Sequence, residues 1–240
     1  MEKVLAWVRS LGFMELTFLL LLLMLANPYS SGIIILDSLV GLFFLLMLLK
    51  QLRPVWHKDW SGWGLLGLWT LAQGFFLGGE LLLPGEQWTL AVAEIFFIVL
   101  LVYLIFMILP HILRSRRITM DLIFAAVITY LLIAMIFGMV YDLIFLFNPQ
   151  SFQVPHLTSP EDTFLRHEFL YFSLLTITTL GYGDIVALLP LAQMLSVLEA
   201  VIGSLYVAIL IAGLVGIHIS EAARGRREEP ETVGETPERL

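Results

Sequence analysis

Long apolar segments joined by short polar connections constrain this chain more than any other feature. A helix that crosses a bilayer needs about 20 mostly apolar residues. Runs of that kind lie at residues 12–27, 33–49, 63–83, 88–109, 119–146 and 191–219. With 59% hydrophobic and 14% charged residues, the composition differs strongly from that of a soluble globular domain. The sequence therefore predicts an all-α membrane protein with six transmembrane helices.

The basic residues predict how these helices are oriented. If the N-terminus is cytoplasmic, 12 of the 13 Lys and Arg residues lie on the cytoplasmic side and only Arg166 lies outside. Cytoplasmic loops carry the excess of basic residues, so both termini are expected in the cytoplasm. Lys3 and Arg9 before the first apolar run also fit a signal peptide, whose cleavage would leave this orientation unchanged.

Between the fifth and sixth runs lies the sequence Thr-Thr-Leu-Gly-Tyr-Gly-Asp, at residues 178–184. Gly181 and Gly183 can adopt backbone angles that other residues avoid, which would let successive carbonyls line up around a dehydrated cation. Thr179 would add a hydroxyl at the inner end. Leu180 and Tyr182 would point backwards and brace the loop.

The segment before this motif is expected to enter the membrane and turn back. Residues 148–163 contain three prolines and no periodicity, which indicates a loop. Ser-Pro-Glu-Asp at residues 159–162 is typical of a helix start. The apolar stretch 164–178 is too short to cross alone. Such a re-entrant segment is tolerated only where protein or water covers its backbone.

The motif resembles the pore loop of the potassium channels, whose filter reads Thr-Val-Gly-Tyr-Gly. Leu180 replaces Val, on the side that faces away from the ions. The resemblance implies K⁺ as the permeant ion, with no other cofactor. It implies K⁺ sites at Thr179, Leu180, Gly181 and Tyr182, a filter completed by Gly183, and support from Thr178, Asp184 and Glu199. Because one loop cannot surround an ion, it also implies a homotetramer in a lipid bilayer.

The sixth run would carry any gate. Gly203 lies 20 residues after Gly183, where the resemblance places a hinge; the alternative is a small residue for close helix packing. Glu199 would be a buried hydrogen-bonding brace, or would contribute to the field on permeating ions. The resemblance and helical spacing together predict that the cavity and inner mouth are lined by Ser204, Val207, Ile211 and Val215.

The connections divide the chain into four parts. We expect a four-helix bundle at residues 1–110, a cytoplasmic linker at 111–118, a pore domain at 119–220 and a disordered tail at 221–240. The linker contains Arg114, Arg116 and Arg117. It would be a plain basic anchor after Pro110, or would lie along the inner membrane face and couple the bundle to the pore. The tail is acidic and polar, and we expect no regulatory domain in it.

Six helices with the pore at the end resemble the voltage-gated potassium channels, whose fourth helix carries regularly spaced arginines. The fourth run here contains no Lys or Arg, and its one charge is Glu94. Moving a charge through the field is worth about 2.3 kcal/mol per 100 mV, so little or no voltage sensing is expected. For Asp37, Glu80 and Glu94, interfacial solvation and a cation or proton site stay open.

Other classes of function find less support. His167 and Glu168 begin like a zinc-protease helix, but Tyr171 stands in place of the second His. The sequence suggests no enzyme, nucleic-acid partner or small-molecule substrate. A potassium transporter subunit would require several pore-loop repeats, and a non-conducting regulatory subunit would not need an intact Gly-Tyr-Gly-Asp. The expected protein is a potassium channel of the cell membrane.

Overall fold

The computed structural model describes residues 12–30, 42, 60–82, 87–115, 118–154 and 166–228. The helices in these ranges are α1 (Gly12–Ser30), α2 (Trp60–Leu82), α3 (Gln87–Arg114), α4 (Met120–Phe147), α5 (Arg166–Ile177) and α6 (Pro190–Glu228). A 3₁₀ turn (Pro149–Ser151) leads into strand β1 (Phe152–Gln153), and strand β2 (Val186–Ala187) precedes α6. The described chain is therefore mostly helical, as the apolar runs predict.

Three of the described helices are long and apolar enough to cross a membrane. They are Gln87–Pro110, Met120–Phe147 and Pro190–Gly213. The apolar parts of α1 and α2 are shorter, at Phe13–Met24 and Gly64–Gly79. The second predicted segment, residues 33–49, lies outside the described residues except for Leu42. This agrees with an all-α membrane protein, while the count of six spans stays a prediction.

One hydrophobic core joins α1, α2, α3 and the first half of α4. It contains residues from the start of α1 (Phe13, Leu16), the start of α2 (Leu65), the end of α3 (Leu104, Ile108) and the start of α4 (Ala125, Ile128). The Phe13 amide donates to Asp121 Oδ1 at 3.1 Å, which satisfies one of the free donors at the start of α1. The bundle therefore packs directly on α4, with these four helix ends on one side.

The predicted break after Pro110 is wrong, because α3 continues through this proline to Arg114. A proline inside a helix removes one backbone hydrogen bond and strains the preceding turn. Packing compensates here, since Ile108 is fully buried and Ile112 packs against the same core. The connection to α4 is thus shorter than the predicted linker, and within it residues 116 and 117 lie outside the described part. Thr119 caps α4 by accepting from the Leu122 amide.

A second core holds α5 between α4 and α6. It is largely aromatic, with Phe152 set edge-on to Phe169 and Phe172 at ring-centroid distances of 5.0 and 5.6 Å. The ring centroid of Tyr141 of α4 lies 5.2 Å from that of Phe172. β1 and β2 pair antiparallel beside this cluster, with Phe152 opposite Ala187. The prediction of a plain loop at residues 148–163 missed this pairing, which joins the segments before and after α5.

The helix α6 extends further than predicted. It runs to Glu228, whereas the disordered tail was expected from residue 221. The segment Glu-Ala-Ala-Arg at residues 221–224 consists of good helix formers, so the helix continues although the composition turns polar. The predicted start of a helix at residues 159–162 lies outside the described residues, which resume at Arg166.

Candidate functional site

The motif at residues 178–184 begins where α5 ends, in a Schellman turn. The Leu180 amide donates to the Leu175 carbonyl at 2.9 Å and the Thr179 amide donates to the Thr176 carbonyl at 3.0 Å. These are the 6→1 and 5→2 bonds that define this helix end, with Thr179 at the position usually taken by glycine. The short helix α5 therefore ends here, and the chain turns sharply into the motif.

Positive φ angles alternate along the motif. They occur at Thr179 (59°), Gly181 (53°) and Gly183 (78°), but not at the two residues between them. In an ordinary strand successive carbonyls point to opposite sides. Alternation between the left-handed and right-handed halves of the φ range turns successive carbonyls towards one side. A row of carbonyl oxygens facing one way is the arrangement that replaces the hydration shell of a cation.

Thr179 departs from ordinary backbone preferences. It is the one described non-glycine residue with positive φ, and a β-branched residue in this region is strained. Strain of this kind costs about 1–3 kcal/mol and is concentrated at functional sites. The strained backbone of Thr179 therefore lies where the Schellman turn of α5 and the motif meet.

The motif is open within a single chain. The side chains of Leu180 and Tyr182 are 55% and 68% exposed, so their predicted bracing contacts are not made within the described part of the chain. Ile185, the first residue after the motif, is buried in the aromatic core. A large aromatic side chain and a leucine at such positions leave apolar surface exposed in the single chain.

Asp184 ties the outer end of the motif to α5. Its Oδ2 accepts a hydrogen bond from the Tyr171 hydroxyl at 2.7 Å, and its Oδ1 accepts from the Ile185 amide at 3.0 Å. Because Tyr171 lies on the helix that ends at the motif, this contact closes a loop around residues 178–183. The predicted supporting role of Asp184 thus has a specific partner, which the sequence did not identify.

Glu199 of α6 is fully buried, with 0% of its surface exposed. Its Oε2 accepts from the Tyr141 hydroxyl of α4 at 2.7 Å, and its Oε1 contacts the Ser173 hydroxyl of α5. Ser173 Oγ is also 2.6 Å from the Ala134 carbonyl of α4. One carboxyl group therefore joins the three helices of the second core. These contacts fit the brace interpretation, and a contribution to the field on permeating ions stays a prediction.

Counting hydrogens in this network indicates the form of Glu199. Ser173 has one hydroxyl hydrogen, yet its oxygen lies within bonding distance of two oxygens, the Ala134 carbonyl and Glu199 Oε1. A carbonyl brings no hydrogen. Ser173 either shares this hydrogen between the two oxygens, or donates to Ala134 while a protonated Glu199 donates to Ser173. The second arrangement gives each contact a hydrogen of its own. A neutral acid also avoids placing an uncompensated charge at membrane depth.

Gly203 lies where α6 crosses the end of α5. A Cβ built on Gly203 would be 2.7 Å from the Ile177 carbonyl oxygen and would overlap the Ile177 side chain. Of the two interpretations of this glycine, close helix packing is therefore the one with a visible contact. A hinge at this position stays a prediction.

The predicted lining residues share one property, exposure in the single chain. Ser204 is exposed, and Val207, Ile211 and Val215 are 40%, 56% and 52% exposed. Within the spanning part of α6, 11% of the apolar window is buried against the rest of the chain, compared with 44% in α4. The helix α6 thus offers several unpacked apolar faces, one of which contains these four positions.

Glu94 lies in the interior of the bundle. It is 1% exposed, so of the two alternatives left open interfacial solvation is wrong for this residue. Gln73 of α2 is also buried, and α2 approaches α3 closely where Gly79 meets Thr89. Asp37 lies outside the described residues, and the side chains of Glu80 and Arg114 are not among those described.

Several residues of the site were not predicted. The hydroxyls of Tyr130, Tyr141, Tyr171, Ser173 and Tyr206 all donate to groups on neighbouring elements. The available signal was a hydroxyl within an otherwise apolar run, since a buried hydroxyl needs a partner. Such a signal indicates that a partner exists without indicating which one.

The comparisons with known proteins concern the segment that contains this site. Residues 118–218 match the family model described as an ion channel. This range begins just before α4, includes α5 and the motif, and ends within α6. No curated protein and no solved structure matches the chain.

Proposed function

We propose that this chain, which belongs to the ion channels through residues 118–218, conducts potassium passively across the cell membrane. The observation that carries the proposal is the alternation of positive φ at Thr179, Gly181 and Gly183. The conducting path is formed by residues 179–183. K⁺ binds to the carbonyls of Thr179, Leu180, Gly181 and Tyr182 and to the Thr179 hydroxyl.

A preference for potassium over sodium follows from the kind of ligand that the motif offers. Rings of backbone carbonyls replace the hydration shell of K⁺ in selectivity filters. No side chain of the path carries a charge, because residues 179–183 are Thr-Leu-Gly-Tyr-Gly. Discrimination by carbonyl number and spacing therefore suits this loop better than attraction by a charged ring.

Selectivity is tested by reversal potentials of the purified protein in planar bilayers. With K⁺ on one side and Na⁺ on the other, we expect a shift of at least about 59 mV, the value for a tenfold preference between monovalent ions. The variant Leu180→Val serves as the control and should keep the shift. A wild-type reversal potential near zero under these conditions would refute potassium selectivity.

A homotetramer accounts for the unpacked surfaces of the pore domain. One chain supplies one loop, and a ring of carbonyls requires several copies around an axis. The exposed Leu180 and Tyr182 and the sparsely packed α6 support burial between copies. Four chains are proposed, by the resemblance to potassium channels.

Native mass measurement in nanodiscs tests the assembly. The expected mass of protein is four times the chain mass of 27.1 kDa. A conducting monomer or dimer would contradict the proposal. Replacing Tyr182 with Ala should reduce the tetramer fraction, whereas Phe106→Ala in the exposed part of α3 should leave the subunit number unchanged.

Gating is proposed to lie in α6. Beyond Gly203 the positions Ser204, Val207, Ile211 and Val215 are uncharged, so closure there would be steric or by dewetting.

Both termini are proposed to lie in the cytoplasm, because the basic residues cluster on that side of the predicted helices.

Voltage dependence is expected to be weak. The spanning part of α3 contains no Lys or Arg, and the buried Glu94 is held within the bundle core. The measurement is the slope of open probability against voltage in symmetric potassium. A gating charge of several units that falls when Arg114, Arg116 and Arg117 are replaced by Gln would show that the linker is a displaced sensor.

A transporter subunit and a non-conducting regulatory subunit are the alternatives. Single-channel currents separate them from a channel, because passive flux through a pore is a stepwise current. Silence of the wild-type protein in bilayers, with its tetramer intact, would favour the regulatory subunit.

A further inference from the structure

The last residue of α5 is held by a tyrosine of the outer helix. The Tyr130 hydroxyl of α4 donates to the Ile177 carbonyl at 2.9 Å. Ile177 is the final helical residue, and its carbonyl is one of those that a helix leaves without an internal partner. Thr178 and Thr179 follow directly, so Tyr130 fixes the backbone at the inner end of the motif.

The inner helix reaches the same place through a second tyrosine. Tyr206 of α6 lies beside Tyr130, with ring centroids 5.9 Å apart and planes inclined by 31°. Its hydroxyl donates to the Ala126 carbonyl at 2.8 Å. In a regular helix that carbonyl also binds the amide of the residue four positions later, which is Tyr130. Tyr206 is therefore bound to the turn of α4 that carries Tyr130.

The order of Gly203 and Tyr206 along α6 determines how a movement of this helix would reach Tyr130. Gly203 packs on Ile177, and Tyr206 follows one turn later. A displacement of α6 beyond Gly203 would carry Tyr206 with it, while the contact at Gly203 stays close to the end of α5. The ring of Tyr130 would then lose its neighbour, and the bond to the Ile177 carbonyl would be altered.

We infer that Tyr206 and Tyr130 form a mechanical link between the inner half of α6 and the inner end of the filter. The inference rests on the proposed channel function. Tyr130 acts as a positioning residue, because it touches the helix end and not the permeating ion. Tyr206 acts on the filter only through Tyr130, since its own hydroxyl binds the outer helix.

The link is tested with Tyr130→Phe, Tyr206→Phe and the double variant. The readout is the duration of block by Ba²⁺, a divalent ion close to K⁺ in size, which reports on the filter. Each single variant should change the mean blocked time roughly 2- to 10-fold, the range for one lost neutral hydrogen bond. The double variant should match Tyr130→Phe, because the path is then already interrupted. Tyr103→Phe, in the bundle, is the matched control.

Three outcomes would overturn the link: block times of Tyr206→Phe equal to wild type, effects of the two variants that add in the double variant, or an equal change in Tyr103→Phe. Tyr206→Phe alone decides the question if Tyr130→Phe does not assemble. Failure of the proposed function is distinguishable, because a wild-type protein without potassium-selective current shows it before any variant is made.

Discussion

Gly181→Ala abolishes potassium current while the tetramer still forms. Gly181 has φ of 53°, and no atom in the described part of its own chain lies within 4 Å of a Cβ built on it, so the expected effect comes from the backbone and not from a clash within the chain. A residue with a side chain pays about 1–2 kcal/mol in the left-handed region. Four copies would raise this to roughly 4–8 kcal/mol per ring, enough to turn the Gly181 carbonyl away from the axis.

The measurement is potassium flux into liposomes, with native mass as the check on assembly. Gly67→Ala is the matched control, because this glycine of α2 also has open space around its Cβ but an ordinary helical φ. We expect it to conduct as wild type and to gain slight stability from the better helix propensity of alanine. Normal flux through Gly181→Ala would contradict the proposed conducting path.

Glu199→Gln keeps conductance and stability, whereas Glu199→Ala loses both. A glutamine amide can donate to Ser173 and accept from Tyr141, which reproduces the bonds of a neutral glutamic acid. Alanine leaves a cavity and removes the partner of the Tyr141 hydroxyl. Each buried polar group without its partner costs about 1–3 kcal/mol, repeated in every subunit.

Thermal dissociation of the tetramer and single-channel conductance test this pair of variants together. If Glu199 were ionised and acted on permeating ions, Glu199→Gln would assemble normally and conduct several-fold less. That result would replace the brace with the second interpretation of this residue. Glu168→Gln, which changes an acid at the start of α5 outside the three-helix network, is the control for loss of charge.

The sequence alone indicated an ion channel and a candidate site. The match of residues 118–218 to the ion channel family model supports an ion channel, while the potassium channels as the narrower family and the role of the motif residues stay predictions. Apolar run length predicted the starts of α3, α4 and α6 and the end of α4 to within one residue. These features are local: composition sets membrane helices, and the two glycines mark where the backbone needs angles that other residues avoid.

Local patterns failed where packing competes with them. Proline usually ends a helix, yet α3 passes through Pro110 because Ile108 and Ile112 pack on the bundle core. For Glu94 the sequence left interfacial solvation and a cation or proton site open, and the structure buries this residue in the bundle. Polarity at residue 221 suggested disorder, although the helix continues to Glu228.

Only the tertiary structure decided how the motif is held. Tyr130 and Ile177 are 47 residues apart, Tyr141 and Glu199 are 58 apart, and Ala126 and Tyr206 are 80 apart. A hydroxyl in an apolar run indicates that a hydrogen-bond partner exists, but any carbonyl on a neighbouring helix can be that partner. Which one does so depends on the crossing of α4, α5 and α6, set by close contacts at Gly138 and Gly203 and by the aromatic cluster around Phe152. Those contacts depend on side-chain shapes from distant parts of the chain, and no periodicity along the sequence encodes them.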